Sequence, residues 1–312
     1  MCCRAPRALR LAAMETGEAE VTEGRIIEGR GGLYTVRDDK GQPYVLRAKK
    51  KFRRENIRPL VGDQVTFIPP QGEEHGWIEE ILPRRSYCLR PPVANITQLV
   101  ITIAPEPAPD LMLVDKLLLF AFGQQIEPVI VVNKMDLAPA LAQEVKNAYD
   151  SAGVKVLALS AVRGEGLDAL KAVMTGQITC FAGQSGVGKS TLIMGLTGEE
   201  LVTGEISQKI KRGKQTTRHI SLIERQGLQV LDTPGFNLLD LPQELKPEEI
   251  CLYYPDFTEF FRNCRFAPCL HDQEPDCAVD QAAREGRIDA GRLARYRDML
   301  RQAQEKWRER YD

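Results

Sequence analysis

Short runs of alternating apolar and polar residues occupy the first third of the chain. Five such runs, separated by turn-forming residues, cover residues 25–27, 33–36, 44–46, 64–68 and 77–81. Alternation with a period of two is typical of half-buried strands, and Asp39-Lys40-Gly41 suits a hairpin turn. The pattern predicts an all-β barrel of the OB-fold type, and an SH3-like barrel fits it nearly as well.

From about residue 98 to 240, continuous apolar runs alternate with amphipathic stretches. The predicted strands cover residues 99–103, 129–132, 154–159, 178–182 and 228–231, and the predicted helices cover 110–122, 140–151 and 167–174. Strands that are apolar on both faces indicate a mostly parallel sheet with helices on both sides. We therefore expect a central α/β domain.

The part of the chain after Pro242 contains several cysteines and is predicted to be mainly helical. Its last helix, from about Asp289, has apolar residues at three- and four-residue spacing, namely Leu293, Tyr296, Leu300, Ala303 and Trp307. We expect this stripe to be a packing face. The arginines on the other faces are expected to be solvated: Arg292, Arg295, Arg297, Arg301, Arg308 and Arg310.

These patterns divide the chain into four segments. We predict a disordered extension over residues 1–20, the barrel over 21–92, the α/β domain over 93–242 and the helical domain over 243–312. Arg4, Arg7 and Arg10 occur in the first residues without an acid, as in an organelle transit peptide. A disordered or wrongly assigned start, with Met14 as the initiator, is the preferred interpretation.

The composition of the chain indicates its cellular compartment but says little about its binding partners. The net charge is −1, so any affinity for nucleic acid must come from local basic patches. No run of about 18 apolar residues suggests a membrane span. Eight cysteines without a secretory signal indicate a reducing compartment, and we expect a cytoplasmic protein that does not bind membranes.

One basic patch lies between the predicted barrel strands and consists of Arg47, Lys49, Lys50, Lys51, Arg53, Arg54 and Arg58. Such side chains neutralise phosphates, and nearby aromatic rings can stack on bases. We favour RNA contact over a merely solvated loop for these seven residues. For Phe52 and Trp77, a place in the barrel core is favoured over stacking.

A phosphate-binding loop is predicted from Gly183-Gln184-Ser185-Gly186-Val187-Gly188-Lys189-Ser190, directly after a predicted strand. Its glycines let backbone N–H groups surround a phosphate. Lys189 is expected to bridge the β- and γ-phosphates, and Ser190 to ligate Mg²⁺. We include Thr191 in the nucleotide-binding set.

The base selected is indicated by Asn133-Lys134-Met135-Asp136, which also follows an apolar strand. The Asp136 carboxylate can accept hydrogen bonds from guanine N1–H and from its exocyclic amine. Adenine has neither donor there, and the carboxylate would remain unpaired. Ser160-Ala161, after the next strand, can offer a backbone N–H to guanine O6. The motif therefore predicts GTP rather than ATP.

The remaining parts of the site come last in the chain. Asp232 is expected to hold Mg²⁺, and the N–H of Gly235 to sense the γ-phosphate. Thr217 is our choice for the switch threonine that closes on Mg²⁺, with Thr216 as its rival. Phe236 occupies the position where Ras-type GTPases have a water-orienting glutamine, so basal hydrolysis should be slow. Gln215 is the candidate to orient water.

The order of these motifs is circularly permuted. The guanine motif and Ser160-Ala161 precede the phosphate loop, and the switch and sensor follow it, which gives the order G4-G5-G1-G2-G3. Ordinary small GTPases begin with the phosphate loop.

A metal centre is predicted near the end of the chain from Cys264, Cys269, His271 and Cys277. Three thiolates and one imidazole complete a tetrahedral Zn²⁺ site without an open position, so the metal would be structural. Free thiols or a disulfide are the alternative.

The chain resembles the ribosome small-subunit-dependent GTPase family (RsgA). The resemblance rests on a barrel that ends near Val61-Gly62-Asp63, on Arg90-Pro91-Pro92-Val93-Ala94-Asn95, on the permuted motifs and on the Cys-x₄-Cys-x-His-x₅-Cys segment. It implies a GTP-hydrolysing factor that binds the small (30S) subunit late in assembly and contacts rRNA through the barrel and the zinc domain. We expect a monomer with one structural Zn²⁺ and with Mg²⁺ bound alongside GTP or GDP.

The resemblance also bears on catalysis. The family usually has His-Thr-Thr in the switch, whereas this chain has Gln215 at the first position. The catalytic set is therefore predicted as Gln215, Thr217 and Lys189. Two alternatives are a GTP-gated RNA-binding switch with negligible turnover and a permuted GTPase with a non-ribosomal partner.

Overall fold

The computed structural model describes residues 21–70, 75–89, 91–198, 220–232 and 245–310. Contacts between Cα atoms divide these residues into two compact units. The first unit contains the residues up to 95 together with 220–222, and the second contains the others. Each unit is described separately.

The first unit is built around a closed five-stranded barrel. Strand β1 pairs with both β2 and β4, β2 pairs with β3, β3 runs parallel to β5, and β5 pairs with β4. This circuit, with a helix between β3 and β4, fits the OB-fold rather than the SH3-like alternative. The elements are β1 Thr22–Arg30, β2 Leu33–Asp38, β3 Pro43–Ala48, α1 Lys50–Arg54, β4 Gln64–Ile68 and β5 Gly76–Ile81.

The barrel interior follows the alternation of the sequence. Along β3, Leu46 is fully buried while Val45 and Arg47 on either side are exposed. The core is formed mainly by Ile26, Val36, Leu46, Val65, Phe67 and Ile78.

The segment before β4 is held by buried polar contacts. Asp63 is fully buried and accepts hydrogen bonds from Leu60 N at 2.7 Å and from Arg84 Nε at 2.7 Å. Gly62 has φ +96°, and a Cβ there would lie 2.0 Å from the carbonyl oxygen of Ala94. Only glycine fits this position, next to a short hairpin of β6 Tyr87–Leu89 and β7 Pro92–Ala94.

The second unit contains a parallel sheet in the order β10-β9-β8-β11-β13. The five strands and three helices predicted for this domain have boundaries that are correct to within two residues. The elements are β8 Gln98–Ile103, α2 Leu111–Gly123, β9 Glu127–Val132, α3 Leu141–Tyr149, β10 Lys155–Ala158, α4 Leu167–Met174, β11 Ile178–Ala182, α5 Lys189–Thr197 and β13 Leu228–Asp232. Strand β12, Ser221–Arg225, begins in the first unit and ends in the second.

The end of the chain is helical, as predicted. Its elements are 3-10 helices Pro247–Tyr253, Pro255–Phe257 and Phe261–Asn263, followed by α6 Ala278–Arg284 and α7 Ala290–Arg308. Tyr254, Phe257 and Tyr296 form an aromatic cluster with ring centroids 4.9–5.0 Å apart. Within the residues that the structure describes, no helix is long and apolar enough to cross a membrane.

The expectation that the α7 arginines are all solvated was wrong for Arg292 and Arg295. Arg292 is 1% exposed, and its Nε donates to Asp256 Oδ2 at 2.8 Å while Nη1 donates to Asp115 Oδ1 at 2.6 Å. Arg295 Nε donates to the second oxygen of Asp115. Asp115 of α2 thus holds both arginines between the two helices. The spacing of residues along α7 could not indicate this, because the carboxylate belongs to another helix.

We expect Arg292→Ala to lower the free energy of unfolding of this unit by about 3–5 kcal/mol, because it leaves the buried Asp256 without its cation and Asp115 with Arg295 alone. Arg301, an exposed partner of Asp298, provides the control, and Arg301→Ala should cost less than about 1 kcal/mol. Urea denaturation followed by Trp307 fluorescence in a Trp77→Phe background measures both. Equal effects of the two substitutions would contradict the assignment.

Candidate nucleotide site and metal centre

Three of the predicted nucleotide motifs lie in described loops, at residues 133–136, 160–161 and 183–190, and these loops meet at the carboxyl edge of the parallel sheet. From β8 the chain proceeds outward to β9 and β10, and it then returns so that β11 lies on the other side of β8. The strand order thus reverses between β8 and β11. Open α/β sheets bind ligands in the crevice at such a point.

The phosphate loop connects β11 to α5 and requires glycine at both ends. Gly183 has φ +129°, and a Cβ there would lie 2.1 Å from the carbonyl oxygen of Thr102 on β8. Gly188 has φ +94°, and a Cβ there would lie 2.3 Å from Asn133 Nδ2. The loop is therefore packed against neighbouring strand ends, with the N-terminus of α5 available to a phosphate.

The buried side-chain amide of Asn133 joins three of the predicted motifs. Its Nδ2 donates to the carbonyl oxygen of Val187 in the phosphate loop at 2.8 Å. Its Oδ1 accepts from the backbone N–H of Ala161 at 3.0 Å. Asn133 is only 1% exposed, so it positions the loops instead of presenting its amide to solvent.

Asp136 is exposed at the same edge and is oriented by Ser160. Ser160 Oγ donates to Asp136 Oδ1 at 2.6 Å, and this hydrogen bond is the main cause that lowers the pKa of the carboxyl group. Met135 N donates to the carbonyl oxygen of Leu159 at 3.1 Å. The arrangement presents an ionised acceptor to a base, as guanine recognition requires.

Sequence reasoning missed the loop that follows β8. The Gln184 side chain accepts from Asp110 N at 2.9 Å and donates to the carbonyl oxygen of Ala108 at 3.1 Å. Lys134 Nζ donates to the carbonyl oxygen of Glu106 at 2.7 Å. The Pro-rich sequence 105–109 indicated only a loop, and no local signal reveals that it supports both motifs.

Lys189 is turned toward its own loop. Its Nζ donates to the carbonyl oxygens of Gly183 at 2.7 Å and Gln184 at 2.6 Å. Burial lowers the pKa of Lys189 to about 8, because two neutral carbonyl groups compensate only partly for lost hydration. A phosphate would restore the stability of the charged form.

The residues predicted to hold Mg²⁺ are placed only in part. Ser190 lies in the first turn of α5, and Thr191 follows it. Asp232 ends β13, the strand that runs beside β11. Hydroxyl and carboxylate oxygens suit Mg²⁺, and the two strand ends are adjacent. Gln215, Thr216, Thr217, Gly235 and Phe236 lie outside the described residues.

The four predicted metal ligands come together in the C-terminal region. Their ligand atoms all lie within 4.8 Å of one another. Cys264 Sγ is 3.6 Å from His271 Nδ1 and 4.0 Å from Cys277 Sγ, and Cys277 Sγ is 3.4 Å from the same nitrogen. A tetrahedral Zn²⁺ site separates its ligand atoms by roughly 3.5–3.8 Å, so the cluster can hold a metal of this kind.

The cluster is attached to α7 and to the aromatic residues beside it. Tyr296 Oη donates to the carbonyl oxygen of Leu270 at 2.8 Å, and Arg297 Nε donates to that of His271 at 3.0 Å. The Phe257 ring centroid lies 6.0 Å from that of His271. The metal ligands are therefore part of the same core that buries the apolar stripe of α7.

The predicted RNA-binding cations lie together on the barrel unit. Four are on α1, and Arg47, Lys49 and Arg58 lie just before or after it. All are exposed or partly exposed, and Lys49 forms an ion pair with Glu79. Phe52 is buried, as expected, whereas Trp77 is 40% exposed, so its expected place in the core was wrong.

Comparison with known proteins identifies the family. A family model described as RsgA GTPase matches residues 81–242, and one described as the RsgA N-terminal domain matches residues 23–78. The chain belongs to the RsgA GTPase family. It is accordingly a GTP hydrolase, and it carries the permuted motif order on a barrel, a GTPase domain and a Cys/His cluster.

Relatives of this RsgA chain resemble it over nearly their full length. A protein of Caldanaerobacter subterraneus named "Small ribosomal subunit biogenesis GTPase RsgA" is 43% identical and covers 94% of this chain and 99% of its own. A Geobacillus protein of the same name is 39% identical over 92% of this chain and 99% of its own. YjeQ from Thermotoga maritima has a TM-score of 0.79 and 30% identity, covering 91% of this chain and 99% of its own.

We expect GDP binding at pH 8 to take up about half a proton, since Lys189 is half-neutral in the free protein and fully protonated beside phosphates. The pKa rises on binding, so affinity falls as pH increases above about 8. Calorimetry in two buffers of different ionisation enthalpy measures the uptake, and Lys189→Arg at pH 8 is the control because a guanidinium is already charged there. Identical apparent enthalpies at pH 8 would contradict this assignment.

Proposed function

We propose that this chain hydrolyses GTP to GDP and phosphate on the small (30S) ribosomal subunit, late in the assembly of that subunit. The observation that carries the proposal is the meeting of the guanine and phosphate loops around Asn133. The names of its relatives supply the partner. The protein would act in the cytoplasm as a monomer, without a membrane.

In the nucleotide site, we assign the base to Asn133-Lys134-Met135-Asp136 and Ser160-Ala161, and the phosphates to residues 183–191 and Gly235. Lys189 would exchange its present carbonyl partners for phosphate oxygens, where its charge stabilises the transition state. Mg²⁺, when bound, neutralises charge on the β- and γ-phosphates. Ser190, Thr217 and Asp232 would hold it.

Hydrolysis also requires an oriented water molecule. Gln215 can hold water by accepting and donating hydrogen bonds, but an amide cannot act as a general base. Phe236 cannot polarise water. We therefore infer slow basal turnover, with bound small subunits supplying or ordering the missing catalytic contacts.

RNA contact is assigned to the barrel and to the zinc domain. In the barrel it rests on seven cations, which can neutralise phosphates: Arg47, Lys49, Lys50, Lys51, Arg53, Arg54 and Arg58. We propose that residues 21–92 bind rRNA, 93–242 carry the GTPase and 243–312 hold the metal. Loss of the γ-phosphate would lower the affinity of the protein for the small subunit.

Small subunits should raise the GTP turnover of the full-length protein by roughly 10³-fold or more, which is the lower end of the range for partner-activated GTPases. Large subunits serve as the control. Gln215→Ala should reduce the stimulated rate while leaving GTP affinity unchanged, and Gln215→His tests whether the residue usual in the family restores it. Intact GTP binding without stimulation by small subunits would instead favour the GTP-gated RNA-binding switch.

We also propose that Cys264, Cys269, His271 and Cys277 bind one Zn²⁺, whose role is structural because all four positions are taken by protein ligands. The purified chain should then contain about one zinc per molecule by atomic emission. Cys277→Ser should lower the zinc content and the melting temperature, and weaken the near-ultraviolet circular dichroism of the Tyr254, Phe257 and Tyr296 cluster.

Cys251 is the matched control, because it lies beside this cluster but outside the set of four ligand atoms. Cys251→Ser should retain the zinc. Full stability of Cys277→Ser without bound zinc would refute a structural metal.

A further inference from the structure

The barrel unit has a groove that the basic sequence pattern did not reveal. Its volume is about 410 Å³, and it lies between β2, the end of β3, α1 and the segment after α1. Pockets for small organic ligands have volumes of about 300–1,000 Å³. The side chains that matter are Tyr34, Lys50, Arg53, Asn56, Ile57 and Arg58.

The charge of the groove is positive. Lys49, Lys50, Arg53 and Arg58 line it, and no carboxylate from the described part of the chain does so. Lys49 is engaged by Glu79, whereas Lys50 and Arg53 are exposed on α1. The groove therefore attracts phosphate groups at one side.

An aromatic and apolar surface lies beside these charges. The Tyr34 ring is half-buried and packs against Gly29, where an added Cβ would be 3.4 Å away. The barrel thus supports the ring on this side. Ile57 is 43% exposed although it is apolar, and Phe52 forms a buried floor. A flat, uncharged group fits such a surface better than a second phosphate does.

Asn56 adds a group that can form hydrogen bonds with a base. It follows α1 in the left-handed region, with φ +54°, and Ile57 N closes the turn by donating to the Phe52 carbonyl oxygen at 2.8 Å. Its amide offers both donors and an acceptor. Cations, an aromatic ring and an amide therefore share one groove.

We propose that this groove binds a single unpaired nucleotide of RNA. The base lies against Tyr34 and Ile57 with its edge toward Asn56, while the flanking phosphates contact Lys50 and Arg53. A continuous duplex keeps its base faces stacked and cannot fill the groove, whereas bulges and loops can. The inference rests on the proposed function, because the RNA would be the rRNA of the small ribosomal subunit.

The test uses the full-length protein and two fluorescent RNA hairpins of equal length, one fully paired and one with a single-nucleotide bulge. Anisotropy titrations should show about tenfold tighter binding of the bulged hairpin, as base–aromatic stacking provides. Ile57→Ala and Tyr34→Ala should remove this preference, while Tyr34→Phe, which keeps the ring, should retain it. Lys50→Ala should weaken both hairpins equally.

Val45 provides the matched control, since it is apolar and 49% exposed but does not line the groove. Val45→Ala should keep the full preference. Equal binding of both hairpins by the unmodified protein, or a preference unaffected by Ile57→Ala, would overturn the inference. Competition by an acidic peptide stronger than by the bulged hairpin would also overturn it.

Failure of the inference can be separated from failure of the proposed function. If small subunits stimulate GTP turnover but the bulged hairpin is not preferred, only the groove assignment is wrong. If neither effect is seen, the assignment of stimulated GTP hydrolysis on the small subunit is wrong as well.

Discussion

The nucleotide site depends on the buried amide of Asn133. An unsatisfied buried amide costs roughly 1–3 kcal/mol, so its partners in the phosphate loop and at Ala161 are strongly specified. The same side chain leaves no room for a Cβ at Gly188. These contacts join loops that are far apart in sequence and adjacent only at the edge of the sheet. Because strand position and not chain order decides which loops meet, a permuted order of motifs is compatible with one intact site.

Helix α2 connects the phosphate loop to the C-terminal helix α7. It begins next to Asp110, whose N–H donates to the phosphate-loop side chain of Gln184. On its buried face, Asp115 binds Arg292 and Arg295 of α7. Farther along α7, Tyr296 and Arg297 hold the backbone of the metal-ligand loop. One helix and its N-terminal residue Asp110 therefore contact both the phosphate loop and the helix that supports the Cys/His cluster.

Features that depend on local chemistry could be predicted from the sequence. The glycines of the phosphate loop, the guanine motif with Ser160-Ala161 and the four metal ligands were identified from residue type and spacing. The structure brings the members of each set together, and it adds the hydrogen bond from Ser160 to Asp136. Contacts between distant segments could not be predicted. Nothing near Arg292 indicates two carboxylates, and nothing near Gln184 indicates the loop after β8. Trp77 was assigned to the core as an aromatic residue, whereas alternation with the buried Ile78 places it outside. Gln215, Thr217 and Gly235 remain predictions.

The nucleotide site and the basic surface of the barrel differ in how they relate to the core. In the barrel, alternation places Leu46 inside and Arg47 outside, so the surface cations can change without altering the packing. In the GTPase, Asn133 and Ser160 are each 1% exposed and belong to both site and core. A substitution there must cost stability together with nucleotide affinity, whereas an exposed residue of the barrel groove can be changed without affecting the core. The RNA preference that we propose is thus free to vary, while the nucleotide site is fixed by its own packing.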